Sequence, residues 1–110
     1  GHADERGAGE GEGATLNLPL PQGTGIEAFR RAQATTLDAI AAFAPGLLVV
    51  SFGADTWDGD PISGFRLRTP DYALLARDVA ACGWPTVIVM EGGYAVNALG
   101  ANVAGFLSGF

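Results

Sequence analysis

Two short apolar runs rich in β-branched residues most strongly limit how this chain of 110 residues can fold. They are residues 47–52 (LLVVSF) and 86–90 (TVIVM), and a helical pattern lies between them. Such runs are typical of strands covered on both faces. Two strands joined by a helix form a βαβ unit, which is almost always parallel and right-handed. We therefore predict an α/β fold with a parallel sheet. Because two strands alone leave both sheet edges open, we expect a slice of a larger three-layer domain, or strands borrowed from a partner.

Helical periodicity flanks both strands. Apolar side chains recur at helical spacing over residues 25–43, and Thr24 with Glu27 has the spacing of a capping box. A second helix is predicted from residue 69, with Thr69 as its cap, to residue 83, with Cys82 on its apolar face. A third follows the turn at 91–94. Residues 1–23 are predicted to form a glycine-rich loop and an extended segment, ahead of a helix plus a βαβα unit at 24–110.

Composition excludes several classes of function. Twelve acidic residues against six arginines give a net charge of −6, which argues against nucleic acid as a partner. No apolar run approaches the roughly 20 residues that span a bilayer, so we predict no membrane insertion. The single cysteine rules out an internal disulfide and fits a reducing compartment, so we expect a cytoplasmic protein. Because Met90 is the only methionine, we expect a piece of a longer protein.

Two turns at the carboxyl ends of the strands are the candidate site, since open parallel sheets bind ligands there. Asp55 lies in the first turn and Tyr94 in the second. A carboxylate and a phenol in one crevice can act as a metal ligand and as an oxyanion donor. The residues alone leave alternatives open: Asp55 as an ordinary loop residue, Tyr94 as a core or rim aromatic, and Gly92-Gly93 as a tight turn or a close backbone approach. Asp58 and Asp60 are most simply turn formers or helix caps.

Three segments in series resemble one family. Residues 9–25 (GEGEGATLNLPLPQGTG), 49–65 (VVSFGADTWDGDPISGF) and 91–94 (EGGY) are similar to the zinc-dependent histone deacetylases and their relatives, the acetylpolyamine amidohydrolases. The resemblance implies an arginase-like three-layer α/β/α fold. It also implies that residues 1–110 are the C-terminal portion of a single deacetylase domain.

The resemblance also implies residue roles. Asp55 matches an aspartate that binds Zn²⁺, and Tyr94 matches the tyrosine that hydrogen-bonds the substrate carbonyl. Gly92 and Gly93 match small residues that line the narrow acyl channel. The family's other zinc ligands, in an Asp-x-His motif, and its adjacent pair of histidines have no counterpart here. The remaining ligands are therefore expected upstream, and the isolated chain is expected to be inactive.

The function implied by the resemblance is removal of an acetyl group from acetylpolyamine or acetyl-lysine by a zinc-dependent amidohydrolase. An acidic protein favours such small cationic substrates electrostatically, and the amidohydrolase resemblance is compatible with a homodimer. One alternative is a non-catalytic relic or interaction module that lacks the metal site. Another is a generic α/β binder of small molecules that uses the loop at 53–68.

Overall fold

The computed structural model describes all 110 residues and contains three α-helices and two β-strands. In chain order they are α1 (Ile26–Phe43), β1 (Leu48–Phe52), α2 (Thr69–Ala80), β2 (Thr86–Met90) and α3 (Val96–Leu107). The strands pair in parallel with Val49 opposite Val87, as the two apolar runs predict. None of the helices combines the length and the apolar character that crossing a bilayer requires.

The first 25 residues form no strand or α-helix. They contain one 3₁₀ turn at Gly9–Gly11 and then an extended segment. This segment is tied to the long loop after β1 by two backbone hydrogen bonds. Gly23 N–H donates to the carbonyl of Gly64 at 2.6 Å, and Arg66 N–H donates to the carbonyl of Thr24 at 2.9 Å. The glycine-rich start therefore leads into a segment that supports the loop carrying Asp55.

The core lies between one face of the sheet and the pair of helices α2 and α3. Phe52, the last residue of β1, stacks on Phe106 of α3 with ring centroids 4.0 Å apart. It also meets Tyr72 of α2 edge-on at 5.7 Å. The other buried members of this cluster are Ala54, Leu67, Leu75 and Ala76. This core fixes the end of β1, where the candidate site begins.

The opposite face of the sheet is bare within this chain, so the covering that the sequence predicts for both faces is present on one face only. Val49, Val87 and Val89 are 57%, 46% and 42% exposed. Tyr72 of α2 and Phe106 of α3 meet the sheet on its other face, at Phe52, while α1 contacts α2 and buries none of its own residues. An apolar cavity of about 280 Å³ lies between α1 and β1.

Two predicted helix caps are wrong. The Thr24 hydroxyl donates to the carbonyl of Pro21 at 2.6 Å, and Gly25 is the N-cap of α1 without a side-chain bond. At α2 the N-cap is Arg68, whose N–H donates to the Asp71 carboxylate at 2.7 Å. The Thr69 hydroxyl instead donates to Asn102 of α3 at 2.7 Å, because that helix packs beside it.

The prediction that Cys82 lies on a buried helix face is also wrong. Helix α2 ends at Ala80, before the cysteine, and Cys82 is exposed. Its thiol lies 3.5 Å from the carbonyl of Asp78. The prediction failed because the helix ends before residue 82, so the helical spacing that placed Cys82 on the apolar face does not extend to it.

Candidate functional site

The turns that follow β1 and β2 are held together by backbone hydrogen bonds. Glu91 N–H donates to the carbonyl of Phe52 at 2.9 Å, and Ala54 N–H donates to the carbonyl of Gly92 at 2.8 Å. These bonds extend the pairing of the strands by one step beyond their ends. The turns with Asp55 and with Gly92 therefore form one edge of the sheet, as their position in the sequence predicts.

Asp55 lies in a 3₁₀ turn at Ala54–Thr56, and its carboxylate sits between two glycines. A Cβ added to Gly53 would lie 2.6 Å from Asp55 Oδ1. A Cβ added to Gly92 would overlap Oδ2 and lie 2.8 Å from Cγ. The carboxylate accepts no hydrogen bond from the rest of the chain, and the residue is half-buried. Gly92 therefore makes room for Asp55, a role that the sequence did not predict.

Gly93 is constrained by its backbone as well as by its neighbours. Its φ is +140°, a conformation that side chains disfavour. A Cβ there would lie 2.7 Å from Leu99 Cδ1 and 3.1 Å from the Cβ of Ala54. The second glycine therefore allows the chain to turn sharply from β2 toward α3.

Tyr94 follows this turn directly and projects a free phenol. Its side chain is 52% exposed, and its hydroxyl makes no hydrogen bond within the chain. The backbone, in contrast, is held, because Tyr94 N–H donates to the Asp60 carboxylate at 2.7 Å. Tyr94 thus combines a fixed main chain with an unengaged hydrogen-bond donor.

Asp60 is the residue whose importance the sequence did not reveal. It is only 5% exposed. Its Oδ2 accepts hydrogen bonds from the N–H groups of Tyr94 at 2.7 Å and Ala95 at 3.1 Å, and its Oδ1 accepts one from Ile62 at 3.1 Å. Burial raises the pKa of Asp60, but these three donors outweigh burial and hold the pKa below its ordinary value. Asp60 is thus an ionised turn former and helix cap that joins the two turns.

Tyr72 of α2 supports the same edge from the core side of the sheet. Its hydroxyl donates to the carbonyl of Ala54 at 3.1 Å and lies 3.1 Å from the Thr56 hydroxyl, so it contacts both neighbours of Asp55. Burial raises the pKa of Tyr72 to about 12, further above neutral pH than an ordinary tyrosine, so the phenol is protonated and donates. Of the two tyrosines, Tyr72 is structural and Tyr94 is accessible.

The chain offers one candidate metal ligand and no complete metal site. No group of three or more His, Cys, Asp or Glu side chains is placed to hold an ion. His2, the only histidine, is exposed in the N-terminal segment. Catalytic zinc sites use three protein ligands, so Asp55 alone does not make one.

The class of protein follows from a match of the whole sequence to a known family. All residues from 1 to 110 match the sequence model of the histone deacetylase domain, and the chain belongs to this family. It is 47% identical over its full length to acetylpolyamine amidohydrolase 1 of Pseudomonas aeruginosa, and 47% identical over 109 residues to acetylpolyamine amidohydrolase of Mycoplana ramosa. The chain spans 32% of the length of each of these relatives.

A solved structure gives the same result for the fold. The crystal structure of acetylpolyamine aminohydrolase from Burkholderia pseudomallei matches the whole chain with a TM-score of 0.96 at 43% identity. The match covers 32% of that protein. This confirms the prediction that the chain has part of the deacetylase α/β fold, with a parallel sheet.

Proposed function

We propose that this chain is the C-terminal portion of a zinc-dependent amidohydrolase domain that removes an acetyl group from acetylated amines. One observation carries the proposal: an unengaged carboxylate, Asp55, and an accessible phenol, Tyr94, stand at the joined ends of two parallel strands. The family match over all 110 residues supports it. The relatives whose names include acetylpolyamine amidohydrolase point to the class of substrate.

Asp55 is the residue that we assign to the metal. It offers a carboxylate oxygen, which zinc accepts as a ligand, in a cradle that Gly53 and Gly92 keep open. It fits one ligand position, and the proposal takes the others from outside residues 1–110. When bound there, a zinc ion supplies Lewis-acid polarisation of the acetyl carbonyl.

Tyr94 is the residue that we assign to the substrate carbonyl. Its phenol donates a hydrogen bond to the carbonyl oxygen, where negative charge develops as the amide is attacked. Gly92 and Gly93 carry no side chain beside it, so the acetyl group can approach the backbone closely. Removing one such donor lowers turnover about 10²–10³-fold in other hydrolases.

The substrate proposed is a small cation with an acetylated amine, either an acetylpolyamine or acetyl-lysine. A net charge of −6 attracts cations over a distance of about one Debye length, roughly 8 Å at physiological salt. Turnover of an acetylated linear diamine should therefore fall as salt is raised. The same salt series with an acetyl-lysine peptide compares the salt dependence of the two substrates.

The test uses the polypeptide that carries these residues at its full length. Asp55→Ala should remove both bound zinc and turnover. Tyr94→Phe should retain zinc and lower kcat by about 10²–10³-fold. Asp58→Ala is the matched control, because Asp58 is an exposed carboxylate in the same loop and makes no side-chain hydrogen bond. Zinc content and initial rates would be measured for all three variants. Full activity in both Asp55→Ala and Tyr94→Phe would contradict the assignment.

A second candidate function is a non-catalytic relic or interaction module. It is favoured by the absence of any group of three metal-ligating side chains among the 110 residues. This alternative predicts that the native protein contains no stoichiometric zinc. Metal analysis of the purified full-length protein therefore decides between the two.

Partner and compartment remain predictions of the same proposal. If the full-length protein is a homodimer, light scattering should give twice the monomer mass. If the protein is cytoplasmic, it should be recovered in the cytoplasmic fraction after cell fractionation, with Cys82 as a free thiol. Each is measured independently of activity.

A further inference from the structure

Asp60 is the only charged residue that the chain buries. Its carboxylate joins the loop after β1 to the start of α3, across 34 residues of sequence. Both of its oxygens accept backbone N–H bonds, and no arginine is paired with it. A buried carboxylate is retained at such a place only when donors compensate its lost hydration, and here they are all main-chain groups of the two turns.

The main chain is held at Glu91 and Gly92 by the backbone bonds to the end of β1 and the turn after it. At Tyr94 and Ala95 the N–H groups bond only to the Asp60 carboxylate. Gly92 and Gly93 precede Tyr94, and glycine restricts the backbone least of all residues. The phenol of Tyr94 has no partner within the chain. The direction of the Tyr94 side chain therefore depends on the backbone at Tyr94 and Ala95, and Asp60 bonds the N–H groups of both.

The start of α3 has no cap of its own. Ala95 is the N-cap and offers no side-chain acceptor, and the first turn of the helix contains no acidic residue. The free N–H groups of a helix N-terminus attract an anion. Asp60 supplies that anion from a distant loop, so the helix and Tyr94 are fixed by one group.

We propose that Asp60 is a positioning residue for catalysis: its carboxylate fixes the main chain at Tyr94 and Ala95 and thereby aims the Tyr94 phenol at the substrate carbonyl. This inference rests on the proposed function, since it gives Tyr94 a substrate. Asp60 itself touches neither substrate nor metal, and its effect on turnover passes through Tyr94. A misplacement of about 1 Å in a catalytic group can cost on the order of 10²-fold in rate.

The test is a double-mutant cycle in the full-length protein with an acetylated linear diamine. Asp60→Asn preserves shape, but the amide has one acceptor oxygen and one donor NH₂. At least one of the three N–H groups therefore faces a donor. We expect Asp60→Asn to lower kcat at least about tenfold, with little change in KM or zinc content. In a Tyr94→Phe background the same change should alter kcat less than about twofold. Asp58→Asn is the control in both backgrounds, because it makes the same change at an exposed aspartate of the same loop.

Each outcome separates positioning from simple structural support. Equal loss of kcat from Asp60→Asn with and without the Tyr94 hydroxyl would overturn the proposal, as would full turnover in Asp60→Asn. If Asp60→Asn yields too little folded protein, Asp60→Ser, whose hydroxyl can accept one N–H bond, enters the same cycle with the same two readings. Failure of the proposed function is recognised separately, because Tyr94→Phe alone would then leave turnover unchanged.

Discussion

The carboxylates of Asp55 and Asp60 lie in one loop, but their surroundings are opposite. Asp60 accepts three backbone N–H bonds, which engage both of its oxygens. Asp55 accepts none and faces the glycine backbone at 53 and 92. A carboxylate whose lone pairs are already occupied is a poor metal ligand, whereas an unengaged one in a fixed turn is available. The contrast supports the proposed roles, Asp55 as a ligand and Asp60 as a support.

The close fit between Asp55 and Gly92 gives a direct prediction. Gly92→Ala places a methyl group against the Asp55 carboxylate, with Cγ only 2.8 Å away, so the side chain must rotate out of its cradle. We expect the full-length variant to lose zinc and at least about tenfold in turnover, because a ligand moved by about 1 Å no longer meets the ion. Zinc content and initial rates would be measured side by side.

Gly46→Ala is the control for this prediction. Gly46 lies in the turn before β1, and a Cβ there meets nothing within 4 Å. It should retain zinc and turnover. Normal zinc content and rate in Gly92→Ala would show that the Asp55 carboxylate has no fixed place.

The positions of Asp55 and Tyr94 were predictable from sequence, but the position of Asp60 was not. Asp55 and Tyr94 follow apolar strands, and the carboxyl ends of adjacent parallel strands meet at one edge. Asp60 reaches Tyr94 across 34 residues, and no local spacing rule links an aspartate in a loop to a helix start that far away. Its short-range bond to Ile62 N–H is the turn-forming contact that its residue type predicts.

The helices and strands follow the sequence pattern closely, while their ends depend on tertiary contacts. Strand β2 covers residues 86–90 as predicted, because an apolar run between Pro85 and a glycine pair has few other conformations. The start of α2 differs because Thr69 bonds Asn102 of α3, 33 residues away, instead of capping its own helix. Side-chain partners of this kind are set by packing, which periodicity does not encode.

Small residues allow α3 and the turn after it to approach α2 closely. A Cβ on Gly105 would lie 3.2 Å from the carbonyl oxygen of Thr69. A Cβ on Gly109 would overlap Ala76 and lie 2.7 Å from the carbonyl oxygen of Ala73. The close approach lets Phe106 reach Phe52 at the end of β1. The packing of the two helices therefore positions the strand that leads to Asp55.

Enlarging Gly109 should disturb this packing. Gly109→Ala forces backbone atoms apart, and overpacking of this type costs about 1–3 kcal/mol in the free energy of unfolding. Gly100→Ala is the control, since Gly100 lies in α3 with nothing within 4 Å of its added Cβ. That change should stabilise the helix by about 0.5–1 kcal/mol. Urea unfolding of the full-length variants measures both, and equal midpoints would contradict the close contact.

The chain as a whole exposes more surface than a compact protein of its mass. Its accessible area is 6712 Å², whereas the scaling for compact monomers gives about 5,700 Å² at 11.2 kDa. Part of the exposed apolar surface lies on the uncovered face of the sheet, where Val49 and Val87 pair across β1 and β2 and Val89 lies two residues further along. From the area and the bare sheet face, we predict that this surface is covered in the full-length protein.

A lysine on the uncovered face distinguishes a covered surface from a naturally exposed one. Val87 is 46% exposed here, so Val87→Lys should be tolerated in the isolated 110 residues and should reduce their self-association and their binding of a hydrophobic dye. In the full-length protein the same lysine would be buried without a partner charge, which costs several kcal/mol. We therefore expect loss of folded protein in that context alone, measured by light scattering of the fragment and by thermal unfolding of the full-length protein. Equal, small effects in both would mean that this face is a true surface.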